Sequence, residues 1–337
     1  MPAEEPIKMK QTALNFLYKY GALLVILFVL LYFSYAVPYF FTYDNLTDIL
    51  RSISIVAIVA IGVTFSLIVD GFDLSVGSTV SLTTVLTASL MVWYEQPLAI
   101  VIFAALLAGA MIGLLNAFLI VKVGIPDLLA TLSMLYVIGG VQKTYTQGYS
   151  VYNKMPLPDG TTAPGVLSPS FLWLGQGKLF GVPVPVLILI LLVVGVHLLL
   201  KYTRFGRMLH MIGSNQEAAR LSGIPIYSMR TWAYVFSGLF AALGGILFAA
   251  RVGSGQMDAG APLLMESVAA VFVGYSVLGA GKPNVIGTFF GAVLIGILLN
   301  GLTMLNLPYY AFDIVKGLVL ILALAVTYLH VRRKKRT

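Results

Sequence analysis

The stretch that decides the fold is VDGFDLSVGS, from Val69 to Ser78, which forms a polar break within a long apolar run. It places two aspartates and two glycines between segments built of aliphatic and small residues. Hydrophobic residues make up 59% of the 337 positions and charged residues only 10%, whereas soluble domains average about 25% charged residues. This composition is typical of a protein that lies in a lipid bilayer.

The apolar runs predict an all-α integral membrane protein with about ten transmembrane helices. A run of about twenty apolar residues crosses a bilayer as a helix, because backbone groups in lipid must find their hydrogen bonds within the segment. The runs lack the alternation of apolar and polar residues that is typical of outer-membrane barrels. The predicted spans are residues 21–40, 50–70, 74–93, 97–121, 126–147, 181–201, 228–250, 263–281, 285–305 and 307–330.

The distribution of Lys and Arg predicts the orientation of these spans. Short cytoplasmic loops are enriched in Lys and Arg, and with a cytoplasmic N-terminus 15 of the 21 such residues fall on that side. Both termini are therefore predicted to be cytoplasmic, and the net charge of +8 reflects topology rather than nucleic-acid binding. Ser34-Tyr35-Ala36 weakly resembles a signal cleavage site. A long tail precedes it and Pro38 follows, so an uncleaved first helix is predicted.

The chain divides into one membrane domain, residues 21–330, flanked by two cytoplasmic tails. The tails are residues 1–20 and the basic residues 331–337, which either anchor the last helix or contact anionic lipid. Two connections are long. Residues 148–180 form an extracytoplasmic loop rich in Pro, Gly and Ser, and residues 202–227 form a basic cytoplasmic loop.

Two stretches of sequence indicate an internal repeat. The first is QPLAIVIFAALLAGAMIGLLNAFLI, in which a run of small residues ends in Leu-Leu-Asn at Asn116. The second is KPNVIGTFFGAVLIGILLNGLTM, in which a similar run ends in Leu-Leu-Asn at Asn300. The two asparagines are separated by nearly the same length of chain as Asp73 and Asp258. The spacing predicts a duplicated unit, spans 2–5 and spans 7–10. The offset is an odd number of spans, so the second unit is inverted, which is typical of transporters.

GFD, which ends at Asp73, and GQMD, which ends at Asp258, are predicted to be matched breaks in the two units. Gly71 is expected to end one helix, and Asp73 to cap the next by accepting from free backbone N–H groups. Pro262 suits the first turn of the helix in the second unit. Each break is either a tight polar turn at the membrane surface or a turn that dips into the substrate route. A carboxylate in lipid costs roughly 2.5–3.5 kcal/mol, so these acids should face protein or water.

Polar residues near and within the spans are candidates for a translocation path. Asn donates and accepts hydrogen bonds, which suits sugar hydroxyl groups; the alternative is that these residues only join helices. Asp313 and Lys316 are spaced to pair across one helical turn. The candidate path residues are Asp73, Ser75, Asn116, Glu266 and Asn300.

The cytoplasmic loop RFGRMLHMIGSNQEAARLSGIPI contains start and stop signals for a short helix. Ser214 and Glu217 have the spacing of a capping box, in which serine caps the helix and glutamate reaches back. Gly223 and Pro225 end the helix, which leaves about eight residues. A short rigid helix exposed to the cytoplasm is expected to be a docking element.

The sequence contains no motif for ATP hydrolysis, thiol chemistry or metal binding. The string closest to a phosphate-binding loop is GAGKP at Gly279, which lacks the required spacing and the Ser or Thr. There is no cysteine, and the three histidines form no ligand spacing. The chain is therefore not expected to be an enzyme or to bind a metal or cofactor, and any ATP must be hydrolysed by another polypeptide.

Several motifs resemble those of one family. EAARLSG, from Glu217, resembles the EAA-x3-G signature of permease subunits of ATP-binding cassette importers, and GFDLSVGS resembles a segment of the ribose, xylose and galactose permeases. Residues 204–224 resemble the coupling region of those permeases, and GVPVPV and IVKG add smaller matches. The resemblance covers about residues 45–330. The stretch GYSVLGAGKPN departs from the family pattern, which leaves the particular sugar open.

The resemblance implies a permease of the bacterial inner membrane that imports a pentose or hexose. It implies an ATPase subunit that binds ATP-Mg, an extracytoplasmic sugar-binding protein, and a second permease copy, identical or related. ATP-driven closure of the ATPase would move the helix around Glu217, and the two units would rock about the route. The residues that would couple to the ATPase are Ser214, Asn215, Glu217, Ala218, Ala219, Arg220 and Gly223.

Three other functions remain open from the sequence alone. An ATP-driven importer could carry a nucleoside, a branched-chain amino acid or a furanosyl signal. An ion-coupled secondary transporter also uses inverted repeats, but the acids here are scattered. A passive channel or a scaffold is the third possibility.

Overall fold

The computed structural model describes residues 23–157, 159–275, 282–308 and 310–321. Helices dominate these ranges, and their one sheet is the antiparallel pair β1 (Lys178–Leu179) and β2 (Val182–Pro183). The helices are α1 (Leu23–Ala36), α2 (Tyr43–Ile68), α3 (Val76–Val92), α4 (Leu98–Ala117), α5 (Asp127–Thr146), α6 (Pro169–Gln176), α7 (Val184–Tyr202), α8 (Arg204–Ser214), α9 (Gln216–Leu221), α10 (Ile226–Val252), α11 (Gly260–Tyr275), α12 (Val285–Met304) and α13 (310–321). A π-helical segment, Phe118–Val123, continues α4.

The described helices form an all-α protein of the membrane type. Five of them are long and apolar enough to cross a bilayer: α2, α4 with its π segment, α7, α10 and α12. The shorter apolar helices are α1, α3 and α11. Each predicted span overlaps a helix. The two predicted tails, the end of the tenth span and residues 276–281 of the eighth lie outside the described residues.

The two predicted repeat units interlock in a reciprocal way. Helix α2 of the first unit packs against α11 and α12 of the second, and α10 of the second unit packs against α3 and α4 of the first. Helices α2 and α10 also pack against each other. This exchange of partners is the pattern expected of two structurally equivalent units.

Glycines allow α4 and α10 to pack with their backbones in contact. A Cβ built on Gly238 would lie 2.1 Å from the carbonyl oxygen of Gly109, and one on Gly113 would lie 2.4 Å from that of Tyr234. Small residues at such positions are how membrane helices approach closely. The crossing therefore depends on the absence of side chains at these points.

The starts of the two short helices α3 and α11 meet inside the bundle. The Gly260 N–H donates to Ser81 Oγ at 2.8 Å, and a Cβ on Gly260 would lie 1.8 Å from the carbonyl oxygen of Gly77. Pro262 lies in the first turn of α11, as predicted. The two polar breaks thus bring the beginnings of two helices from different units together.

The first break differs from the prediction in which residues end and cap the helices. Helix α2 ends at Ile68, and Asp70 rather than Gly71 has a left-handed φ, of 58°. Asp73 does not directly precede α3, since Ser75 occupies that position, but its carboxylate accepts from a free backbone N–H there, that of Ser75, as predicted. Gly71 is required for another reason, because its Cβ would lie 2.4 Å from the Tyr234 hydroxyl and a carboxylate oxygen of Asp127.

Candidate functional site

A buried polar cluster forms where the first break meets α4 and α10. Asp73 Oδ1 accepts from the backbone N–H of Ser75 at 3.0 Å and from its hydroxyl at 2.7 Å, while Oδ2 accepts from Ser237 Oγ at 2.7 Å. Asn116 Nδ2 donates to Ser75 Oγ at 2.7 Å. All four side chains are at most 1% exposed. These donors surround a carboxylate that no described basic side chain neutralises through a salt bridge.

The cluster shows that Asp73 is held inside the helix bundle. Ser237, which donates to it, lies near the middle of α10. Asp70, three residues earlier, is exposed. Asp73 faces protein, as the cost of a carboxylate in lipid requires. Whether a substrate reaches this depth stays a prediction.

Three of the five predicted path residues lie together in the structure. The other two form an ion pair and a hydrogen bond in other parts of the bundle. Asp73, Ser75 and Asn116 share the cluster. Glu266 pairs with Lys316 at 3.1 Å, and Lys316 also lies 3.8 Å from Asp313. Asn300 Nδ2 donates to Asn45 Oδ1 at 2.8 Å. Ser237 and Asn45 were not predicted, because nothing in their local sequence separates them from other helix-packing residues.

A second group of charged and aromatic side chains supports the loop at Gly71. Arg230 Nη2 lies 2.7 Å from Asp127 Oδ1 and 2.6 Å from Oδ2, and the Tyr234 hydroxyl also donates to Asp127. The ion pair is largely shielded, with side-chain exposures of 15% and 19%. Asp127 is in the first turn of α5, where a negative charge is favoured by the helix dipole. The group therefore joins α5, α10 and the first break.

We expect Arg230→Met to lower the free energy of unfolding by roughly 2 kcal/mol, because it leaves a shielded carboxylate without its cation. The double variant Arg230→Met/Asp127→Asn should recover much of this loss, since it removes the unpaired charge as well. Thermal unfolding in detergent measures both effects. The exposed Lys201 provides a control, Lys201→Met. Equal losses in the control and in Arg230→Met would show that the ion pair does not hold this region.

A short helix forms where the sequence predicted one, but its capping differs from the prediction. Asn215, not Ser214, caps α9: its Oδ1 accepts from the Ala218 N–H at 2.9 Å, while Ser214 is the last residue of α8. Glu217 does not reach back, because it pairs with Arg220. The hydrogen bonds to Glu217 and its negative charge raise the pKa of the Arg220 guanidinium. Helix α9 has six residues rather than about eight, and Gly223 follows with a φ of 78°.

The surface of α9 and its flanks is exposed, while α9 itself is anchored. Ala219 is fully buried, and Leu221 is 79% exposed. The exposed members of the predicted coupling set are Ser214, Asn215, Glu217, Ala218, Arg220 and Gly223. Gly213 packs α8 against the end of α2, since its Cβ would lie 1.9 Å from the Ile68 carbonyl oxygen. The result is a short, mainly polar surface on which Leu221 is the most exposed large apolar side chain, held firmly at its base.

A cleft connects this surface to the charged group at the first break. Its walls include Gln216 of α9 and both members of the Asp127–Arg230 pair. The remaining lining residues are Ile120, Val121, Gly124, Ile125, Pro126, Ile226 and Tyr227, which include part of the π-helical segment. The cleft thus lies between α9 and the Asp127–Arg230 pair, which in turn supports the loop at Gly71.

Comparison with known proteins assigns the chain to a family. The family described as "Branched-chain amino acid transport system / permease component" matches residues 45–324. The chain belongs to this permease family. The permease is 37% identical over 305 residues to the ribose import permease protein RbsC of Escherichia coli strain K12, which covers 90% of this chain and 92% of that protein. The motif resemblance to sugar importer permeases is thereby confirmed.

Two further relatives extend the comparison. The permease is 34% identical over 320 residues to RbsC of Haemophilus influenzae, covering 95% of this chain and 96% of that protein. It is 31% identical over 338 residues to the galactose/methyl galactoside import permease protein MglC of Escherichia coli strain K12, covering 97% and 98%. No solved structure matches the chain. The similarity to these relatives spans nearly the whole length of each protein.

Proposed function

We propose that this permease is the membrane subunit of an ATP-driven importer that carries a monosaccharide of the pentose or hexose type into the cytoplasm. The observation that carries the proposal is the near full-length similarity to ribose and galactose import permeases. The capped, exposed α9 supports the ATP-driven part, because force from an ATPase must enter through a rigid contact.

The proposed topology has ten spans, both termini in the cytoplasm, and a bacterial inner membrane as the location. Two contacts support this orientation. At one end of α2 the Tyr43 hydroxyl donates to the Gly181 carbonyl at 2.9 Å, which associates that end with the predicted extracytoplasmic loop. At the other end Ile68 packs against Gly213 of α8, next to the predicted coupling helix.

The proposed partners are an ATPase that binds ATP-Mg, an extracytoplasmic sugar-binding protein and a second permease copy. Closure of the ATPase would displace α9, and the cleft with the Asp127–Arg230 pair would pass this movement to the first break. Because Asp73 ties the break to the middle of α10, the break and α10 would move as one body. The interlocked second unit would then rearrange around them.

Glu217→Ala tests this proposal, because it removes the charged partner of Arg220 from the exposed face of α9. We expect wild-type permease in mild detergent to retain an ATPase subunit from native membranes, and the variant to lose it or to lose ATP-dependent uptake. Thermal unfolding of the isolated permease should not change, since the pair is exposed to solvent. Pull-down, ATPase assay and uptake are the measurements.

Glu95→Ala is the matched control, since Glu95 is an exposed glutamate in the connection between α3 and α4. The control should bind the ATPase and transport as the wild type does. Normal assembly and transport by Glu217→Ala would remove the docking role of α9. A permease that purifies alone and moves solute along an ion gradient would instead support a secondary transporter.

A branched-chain amino acid is the second candidate cargo, because the family description names that class. Ribose, galactose and leucine uptake should be compared in the same vesicles, each with and without ATP. ATP-dependent leucine uptake that neither sugar inhibits would favour the amino acid. ATP-dependent sugar uptake that leucine does not inhibit would favour the monosaccharide.

A further inference from the structure

One polar side chain in the interior lacks any protein partner within the described residues. Gln142 of α5 is 1% exposed, and neither its Oε1 nor its Nε2 has a hydrogen-bond partner there. Most buried polar groups in proteins are paired, because an unpaired amide loses its hydration without compensation. A glutamine in which both groups are unpaired is therefore an unusual feature that needs a physical explanation.

Gln142 lies in the part of α5 whose neighbouring residues contact the second polar break. The next residue, Lys143, pairs with Asp258 of that break at 3.5 Å, and Thr146 Oγ1 lies 3.2 Å from the Met257 sulfur. Both members of the ion pair are more than half exposed, and such surface pairs contribute little to stability. The contacts between this end of α5 and the second break are thus weak enough to open.

Helix α5 contacts both polar breaks, one at each end. At its beginning Thr131 Oγ1 donates to the Phe72 carbonyl at 3.1 Å, and Asp127 supports Gly71. At its other end it contacts the second break through Lys143 and Thr146. A rearrangement of the first break, which lies next to the cytoplasmic cleft, would therefore shift α5 relative to the second break.

The helix that faces this part of α5 is rich in hydroxyl groups. Helix α3 packs against α5, and Ser89 Oγ accepts from the Tyr145 hydroxyl of α5 at 2.9 Å. Most α3 hydroxyls donate to carbonyls of their own helix, which leaves their oxygens able to accept. The buried hydroxyl residues of α3 are Ser78, Thr79, Ser81, Thr83, Thr84, Thr87 and Ser89.

We propose that Gln142 is a sugar-contacting residue of the translocation route, which binds the hydroxyl groups of a monosaccharide once the second break lifts away. Its amide donates through Nε2 and accepts through Oε1, so it can bond two neighbouring hydroxyl groups at once. This proposal rests on the proposed import of a monosaccharide. It adds a specificity-determining residue that lies apart from the Asp73 cluster.

Gln142→Met tests the role, since methionine keeps the approximate length and volume of glutamine and removes both hydrogen-bonding groups. We expect the KM for ATP-driven ribose or galactose uptake in reconstituted vesicles to rise about ten- to a hundredfold, the loss typical of one or two hydrogen bonds to a substrate. Thermal stability should be unchanged or higher, because an unpaired buried amide is removed. Gln142→Leu is the second variant, in case the first does not fold.

Single-deoxy sugars give the readout that separates contact from packing. The wild type should take up ribose with a lower KM than 2-deoxyribose. In Gln142→Met, the ratio of the KM for the deoxy sugar to the KM for the parent sugar should fall toward one for the hydroxyl that the amide contacts. The 2-, 4- and 6-deoxy derivatives of galactose serve the same purpose. The same binding protein supplies wild type and variant, so its own preference cancels when the ratios are compared.

Gln96→Leu and Gln96→Met are the controls, since Gln96 lies in the connection between α3 and α4 and is half-buried. They should leave the KM and the deoxy-sugar ratio unchanged. Unchanged KM and unchanged ratios in Gln142→Met, with normal wild-type uptake, would overturn the proposal and leave the amide bound to water only. Absence of ATP-driven sugar uptake in the wild type would instead contradict the proposed function itself.

Discussion

Asp73→Ala is expected to lower the free energy of unfolding by roughly 3–5 kcal/mol, because it removes the acceptor of four buried donors at once. The donors are the N–H and hydroxyl of Ser75, the hydroxyl of Ser237 and, at 3.4 Å, the side-chain amide of Asn116. A buried donor without a partner costs about 1–3 kcal/mol, and relief of the desolvation of the carboxylate offsets part of the sum. Thermal unfolding in detergent, with retention of the monodisperse peak on size exclusion, measures the effect.

The conservative pair Asp73→Asn and Asp70→Asn provides the matched control. Asn at position 73 keeps one acceptor but points an N–H₂ group at the donors, so a smaller loss of roughly 1–2 kcal/mol is expected. Asp70 is exposed and has a left-handed φ that Asn also adopts readily, so its replacement should have no effect on stability. Equal effects at the two positions would mean that the cluster does not hold the first break in place.

Gly238→Ala is expected to destabilise the permease by roughly 3 kcal/mol, because the added methyl group collides with backbone rather than with a movable side chain. Its Cβ would lie 2.1 Å from the Gly109 carbonyl oxygen, which is far inside van der Waals contact. Helices α4 and α10 would have to separate, and their packing along the whole crossing would loosen. Thermal unfolding again gives the measurement.

Gly139→Ala is the control, since it makes the same change in another helix where nothing lies within 4 Å of the new methyl group. Alanine is the better helix former, so this variant should be neutral or more stable by roughly 0.5–1 kcal/mol. Gly109→Ala should behave like Gly238→Ala, because the contact is mutual, with 2.4 Å to the Gly238 carbonyl oxygen. Tolerance of alanine at both contact glycines would show that the backbones are not in close contact.

The membrane class, the helix positions and the family followed from the sequence because each depends on local pattern. A bilayer demands long apolar runs whatever their neighbours, so composition and run length predict the helices. The motif around Glu217 predicts the coupling helix, although its cap is Asn215 rather than Ser214. The two residues are adjacent and both are common caps, so sequence alone does not choose between them.

The partners of the polar residues were decided only by the tertiary structure. Ser237 is separated from Asp73 by 164 residues, and Asn45 pairs with Asn300 across 255 residues. Such pairings depend on how the helices cross, and crossing is set by small residues and side-chain shape rather than by hydropathy.

The sequence by itself determined that this is a membrane protein, the order of its helices and the resemblance to sugar permeases. Only the tertiary structure decided that Asp73 lies inside the bundle, that Gly71 closely approaches Tyr234, and that Gln142 is buried with no side-chain partner among the described residues. The reason is physical: hydrophobicity acts on each residue separately, whereas burial and hydrogen bonding depend on which distant residues arrive beside it.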